Sequence, residues 1–321
     1  MPPRCRARFR RCDPHRPVND VAAAPARRFS DPLVWVPFVL ISLIWGSTWL
    51  IIKDQISLVP PTWTISYRFA IATIGMFALA AWRGDGWRVS RAGWGIVALV
   101  GVAQFVFNFQ FVYHAELWLT SGLVAVIFSL VFVPNAIMGR IFLGQAITRG
   151  FLVGSAFAIC GIALLIAHEY RVADIEGGIW FGAVFAVLGM LAASVAGIAQ
   201  ATPTGRAQPF IPMLAWSMAV GCAINIGFSL VSEGAPTWDG RWEYGAGIVY
   251  LALCGSVLTF PLYFGLVRSI GAGRAAYNGA AVPLVAMTLS TLFEGYRWDS
   301  LAAVGSVLTI IGIVVALKAR R

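Results

Sequence analysis

Charge is the scarcest property of this sequence. Only 12% of its residues are Asp, Glu, Lys or Arg, against about 25% in an ordinary soluble domain. A soluble body of 321 residues needs a charged shell that so few ionisable side chains cannot supply. Histidine is rarer still, with three in the chain. No His, Cys or Asp cluster has metal-site spacing, and no glycine-rich phosphate loop is present. The five cysteines include no CxxC pair and form no disulfide framework. Cys160, Cys222 and Cys254 fall in apolar segments, and Cys5 and Cys12 in a basic N-terminal stretch. Metal, cofactor and disulfide chemistry therefore have no basis here, and no cofactor is expected.

What the chain has is hydrophobicity, 59% of residues, arranged in runs. A helix needs about 20 apolar residues to cross a hydrocarbon core. That length predicts an all-α polytopic membrane protein with ten transmembrane helices, at 33–52, 62–82, 92–112, 118–138, 148–167, 177–198, 209–231, 244–267, 272–292 and 300–318. Residues 1–32 are rich in Arg and Pro and read as a disordered cytoplasmic tail able to touch anionic lipid. Residues 33–170 and 171–318 read as two five-helix repeats, and 319–321 as a cytoplasmic end.

Positive charge sets orientation. With ten helices both ends lie on one side. Apart from the tail, that side carries Arg83, Arg88, Arg91, Arg140, Arg149, Arg206, Arg268, Arg274, Lys318, Arg320 and Arg321; the other carries Lys53, Arg171, Arg241 and Arg297. Both termini are thus expected in the cytoplasm. The net charge of +10 is accounted for by topology, and no nucleic-acid partner is implied. An odd number of helices per half inverts the second half relative to the first, the pattern of an alternating-access transporter with its site near the midplane.

The halves also match in detail. Residues 121–145 and 271–294 each run from small apolar residues to a proline, Pro134 or Pro283, 149 residues apart. Eleven residues after each proline comes a long polar side chain, Gln145 or Glu294, and then an apolar segment with Gly161-Ile162 or Gly312-Ile313. Trp45-Gly46-Ser47-Thr48-Trp49 followed by Lys53 resembles the first-helix motif of the drug/metabolite transporter superfamily, EamA-like branch. Pro61 and Arg68-Phe69 continue that resemblance, the proline segments look like its fourth and ninth helices, and Glu294 matches its usual acid. Two departures stand out: Gln145 replaces the usual Glu, and no Trp-Gly-Ser motif is evident around Gly189. The resemblance covers Leu33 to Ala316 and implies a permease of the bacterial inner (plasma) membrane for small metabolites.

Polar groups inside hydrocarbon usually face a cavity or a partner. Gln104 and Asn108, one helical turn apart among Phe105, Phe107, Phe109 and Phe111, either line the solute path or hold helices together. Arg68 either attracts an anionic or carboxylate group or snorkels to the interface; its place in the family resemblance favours a structural role. Lys53 reads as an interface anchor. Tyr277-Asn278 before Pro283, and Pro134-Asn135, mark hinges, polar notches or tolerated kinks. Trp45, Tyr263 and Tyr277 read as aromatic walls or as part of the interfacial belt. His114 and Glu116 are placed in a solvated turn. GxxxG pairs at Gly150/Gly154 and Gly178/Gly182 read as helix packing or as contact in a homodimer. No Asp or Glu falls mid-helix, which argues against an acid-centred proton relay and favours neutral, zwitterionic or anionic solutes.

The expected function is a secondary transporter of a small metabolite, an exporter of amino acids or related compounds, with membrane lipid as its other partner. An intramembrane enzyme acting on lipids or sugars is the rival, with only His114 and Glu116 to support it; a non-transporting membrane subunit is a third reading.

Overall fold

The computed structural model describes residues 31–172, 178–270 and 275–319. The expected tail lies outside the described residues except for its last two, as do 271–274 and 320–321. Ten apolar helices follow one another among the described residues: α1 Pro32–Gln55, α2 Pro61–Trp82, α3 Arg91–Trp118, α4 Ser121–Leu143, α5 Arg149–Arg171, α6 Gly178–Ala201, α7 Phe210–Ser232, α8 Trp242–Val267, α9 Asn278–Phe293 and α10 Ser300–Lys318. All but the 16-residue α9 are long enough to cross a membrane. The ten expected segments are present. Their ends differ by a few residues except in α3, which runs six residues past its expected end, and α9, which begins six residues after its expected start.

Local chemistry sets the helix starts. Asp31 accepts from the Leu33 amide at 2.9 Å, Ser90 from Gly93 at 3.0 Å and Asp299 from Ala302 at 2.7 Å. Each occupies one of the amides that a helix start leaves unpaired. Pro32 and Pro61 open α1 and α2, where a missing amide hydrogen costs nothing. α4 stops at Gly144, whose φ of 66° suits glycine.

Asp299 also lies 2.9 Å from His168 Nδ1 on α5. The Ala302 amide, and after it His168, hold its carboxyl below the usual carboxylate range. A depressed folded value contributes stability that is present above the unfolded value of about 3.9 and is lost as pH falls through the folded one. Asp299→Ala is expected to lower the melting temperature in detergent at neutral pH. The gap from wild type should narrow below about pH 4, where the wild-type carboxyl also loses its charge; a gap that stays constant with pH would show that the charge is not what stabilises the α10 start.

The packing repeats around an inverted two-fold. α1 packs on α8 and α9; in the second half α6 packs on α3 and α4. α2 packs on α7, α4 on α9 and α5 on α10, each helix against its own counterpart. The α5–α10 pair is closest. A Cβ added at Gly154 would strike the α10 backbone at Gly312 and Ala316, and one at Gly312 would strike Gly154 and Ala158. In lipid, helix association rests on van der Waals contact and interhelical hydrogen bonds, so small residues at the crossing bring the backbones together. The Gly150/Gly154 pair packs on the end of α10, and Gly182 packs on Trp118 and Leu119. Leu33, Trp82, Phe142, Val231 and Phe293 are exposed, as lipid-facing side chains are.

Candidate functional site

The site forms around a departure from α geometry. α8 is α-helical to Ala252, widens to π-helix over Leu253–Leu258 and returns to α at Thr259. Its counterpart α3 widens in the matching place, Gly101–Asn108. A π turn shifts bonding to i→i+5, and such turns recur at functional sites. Ser256 Oγ reaches the Leu251 carbonyl, five residues back, at 3.1 Å. Gly255 leaves the wide turn approachable: a Cβ there would lie 3.1 Å from Thr48 Cγ2 and 3.5 Å from Arg68 Nη2.

Two helices send polar side chains into this turn. Trp45 of α1 donates through Nε1 to the Gly255 carbonyl at 3.2 Å and to Thr259 Oγ1 at 2.9 Å. Its indole also packs on Tyr263, 5.3 Å between centroids, and on Phe260. Ser47 and Tyr250 share a hydrogen bond of 2.7 Å beside it. Arg68 of α2 donates to Ser256 Oγ at 3.4 Å and to the Tyr113 hydroxyl at 3.2 Å. Its guanidinium carbon lies 4.7 Å from the Phe109 ring centroid and 5.4 Å from that of Phe69.

Arg68 is 3% exposed, its Nε has no hydrogen-bond partner, and it forms no ion pair among the described residues. Arginine at the centre of a bilayer helix costs about 2.5–3.5 kcal/mol to insert, and each ring face returns up to about 2 kcal/mol when the pair is desolvated. Hydroxyls and rings hold this cation without neutralising it, leaving charge for an incoming anion. Arg68 does not snorkel to the membrane surface.

The other candidates lie elsewhere. Gln104 donates to Asn108 Oδ1 at 3.0 Å, and Asn108 donates to the Gly189 carbonyl of α6 at 2.9 Å. Asn225 of α7 donates to the Phe105 carbonyl at 2.7 Å and accepts from Gln110 at 3.0 Å. The two wide turns are thus engaged by equivalent helices, α1 and α2 on one side, α6 and α7 on the other. Asn278 ties α9 to α1, donating to Ser42 Oγ at 2.8 Å and the Phe38 carbonyl at 3.0 Å. Tyr277 is half-buried in the turn before it. Pro134 follows a 3₁₀ turn at Ser129–Val131, where its ring would otherwise crowd the Leu130 carbonyl. Pro283 is buried in α9 without a change of helix type, beside a void of about 40 Å3.

The end of the bundle that carries Glu294 holds residues that the sequence alone misplaces. Glu116 is not in a solvated turn. α3 continues to Trp118, only Leu119 and Thr120 link it to α4, and Glu116 is fully buried in its last turn. Lys53, in the last turn of α1, donates its ammonium to the Glu116 and Leu119 carbonyls, the latter at 3.0 Å. Glu294 accepts from the Ser121 amide at 3.2 Å and the Ser121 hydroxyl at 2.6 Å. A cation thus closes the C-terminus of α3 and an anion the N-terminus of α4, each matched to the helix dipole. Gln145, the twin of Glu294, is exposed. At its end of the bundle Arg83, Asp85, Phe210, Pro261 and Phe264 line a recess of about 340 Å3 between α2, α7 and α8.

Comparisons with known proteins give the family and the fold. A model described as the EamA-like transporter family matches residues 33–167 and again 180–318. The uncharacterized inner membrane transporter YedA of Escherichia coli K12 is 28% identical over 271 residues, covering 82% of this chain and 83% of that protein. PagO of Salmonella typhimurium is 22% identical, with 88% and 92% covered. An uncharacterized transporter of Archaeoglobus fulgidus is 22% identical, with 89% and 99% covered. One solved crystal structure shares the fold, with a TM-score of 0.67 and 17% identity over 89% of this chain and 97% of that one.

Proposed function

This chain belongs to the EamA-like transporter family, and from that premise we propose that it is a secondary transporter of small carboxylate-bearing metabolites, amino acids or related compounds, in the inner membrane. The observation that carries the solute class is Arg68, a buried guanidinium with no counter-ion among the described residues, set beside the wide turn of α8. A carboxylate fits its planar fork of donors, and Trp45 and Tyr263 supply an aromatic wall next to it. Rocking of the two inverted halves about the α2–α7 and α4–α9 contacts alternates access. The asymmetry of positive residues favours cytoplasmic termini, which turns the Glu294 end outward and the Arg83 recess inward. Export is the direction taken here.

Uptake and efflux in proteoliposomes against a metabolite panel test the reading. Carboxylate-bearing solutes should move and their amides or esters should not; no movement of any solute by folded protein would count against transport. The Gln104–Asn108 pair belongs to the α3–α6 contact in this reading. Asn108→Ala should therefore lower expression and transport together. Transport loss at full expression would instead place the amides in the pathway.

A further inference from the structure

Glu116 closes over itself at the Glu294 end. It is fully buried, and neither carboxylate oxygen has a hydrogen-bond partner among the described residues. The charged and titratable groups facing it come from several elements. α1 brings Lys53, whose ammonium is taken by backbone carbonyls and forms no ion pair with the carboxylate. α2 brings Arg68, held one turn away by Tyr113. α3 itself carries Tyr113 and His114, whose Nδ1 meets the Gln110 carbonyl. α9 ends in Glu294, already engaged by Ser121. His168 and Glu169 of α5 and Tyr296 complete the ring beyond Glu294. The α6 helix against this face contains no titratable residue.

An ionised carboxylate buried without a hydrogen bond or an ion pair is disfavoured far more than the neutral acid. Water entering at this end reverses the preference. We propose, resting on the transporter reading above, that Glu116 is a proton-binding site whose protonation closes this end of the pathway and whose ionisation opens it. The step is an acid–base exchange: the open, wetted carboxylate takes one proton from water, and the closed end holds it as the neutral acid. Opening returns that proton, and no electron moves. With this end outward, the proton enters and leaves on the same side, so exterior acidity holds this end closed and gates the pathway without a net proton flow.

Infrared difference spectra of the full-length chain in nanodiscs, without solute, read the protonation directly. A buried carboxyl should titrate in wild type and in Glu169→Gln, and the signal should vanish in Glu116→Gln. Its absence from wild type, or its survival in Glu116→Gln, overturns the proposal. Hydrogen exchange of residues 113–121, corrected for intrinsic rates, should rise with pH in wild type and stay flat in Glu116→Gln; equal profiles overturn it as well. In proteoliposomes, acid on the Glu294 side should slow flux through wild type and Glu169→Gln but not through Glu116→Gln; equal slowing of all three overturns the proposal. The same slowing by sodium at constant pH counts against the proton. Should no solute move in any of these proteins, the transporter reading fails while the infrared result still decides Glu116.

Discussion

Arg68→Leu should sharply lower carboxylate transport while leaving the protein as stable as before, or more so. Hydrogen bonds to charged groups contribute about 1.5–3 kcal/mol, so losing the guanidinium should lower transport efficiency by about 10- to 100-fold. Stability should move the other way, because the side chain that is removed is a buried cation without a counter-ion. Ser256 keeps its own donation to the Leu251 carbonyl in the variant, while the Ser256 and Tyr113 hydroxyl oxygens both lose the guanidinium donor. Arg68→Lys keeps the charge but cannot span Ser256 and Tyr113 with two donors on one plane, so its transport should fall between the two. Paired measurements of melting temperature and solute flux decide the matter. A melting temperature that drops in step with flux would make Arg68 a structural residue and remove the observation on which the solute class rests.

The largest loss of stability is expected from Gly154→Leu. Any side chain there enters the α10 backbone at Gly312 and Ala316, and neither helix can yield without giving up the contacts along the rest of their crossing. Overpacking of this kind costs about 1–3 kcal/mol and at times more, enough to lower the amount of folded protein several-fold. Gly227→Ala on α7 is the matched control, since an added Cβ meets nothing within 4 Å. Size-exclusion profiles of a fluorescent fusion after heating should show a collapsed Gly154→Leu peak and an unchanged Gly227→Ala peak. Equal profiles would mean that α5 and α10 do not pack as described.

Much of this architecture is legible from spacing alone. Hydropathy runs place all ten helices, and the pairing of Pro134 with Pro283 exposes the repeat. The failures concern what helix type and partner choice conceal. Glu116 looks like loop punctuation because a charged residue in an apolar chain usually is; nothing in Tyr113–Trp118 breaks a helix, and burial decided the matter through Lys53, 63 residues away. Arg68 and Trp45 are visible as polar groups in apolar helices, but their common target is not. Ser256 and Tyr113 carry no signal, since a serine and a tyrosine in a membrane helix are ordinary. The wide turns at 101–108 and 253–258 have compositions that an α-helix would accept equally well. Each arises where its helix meets two others, and only tertiary packing selects it.

Those turns have a geometric result for anyone reading helix faces. An α-helix advances about 100° per residue, and a π turn holds one more residue than an α turn. Past Asn108 the compass of α3 is therefore reset by about one residue, 100°, and past Leu258 that of α8 is reset likewise. A single wheel drawn through Arg91–Trp118 assigns Tyr113 and Glu116 the wrong bearing. Two wheels, split at the wide turn, turn them toward Arg68 and Lys53. The two ends of each of these helices face different neighbours in azimuth, which lets one continuous helix present one stripe to its own half and another to the opposite half.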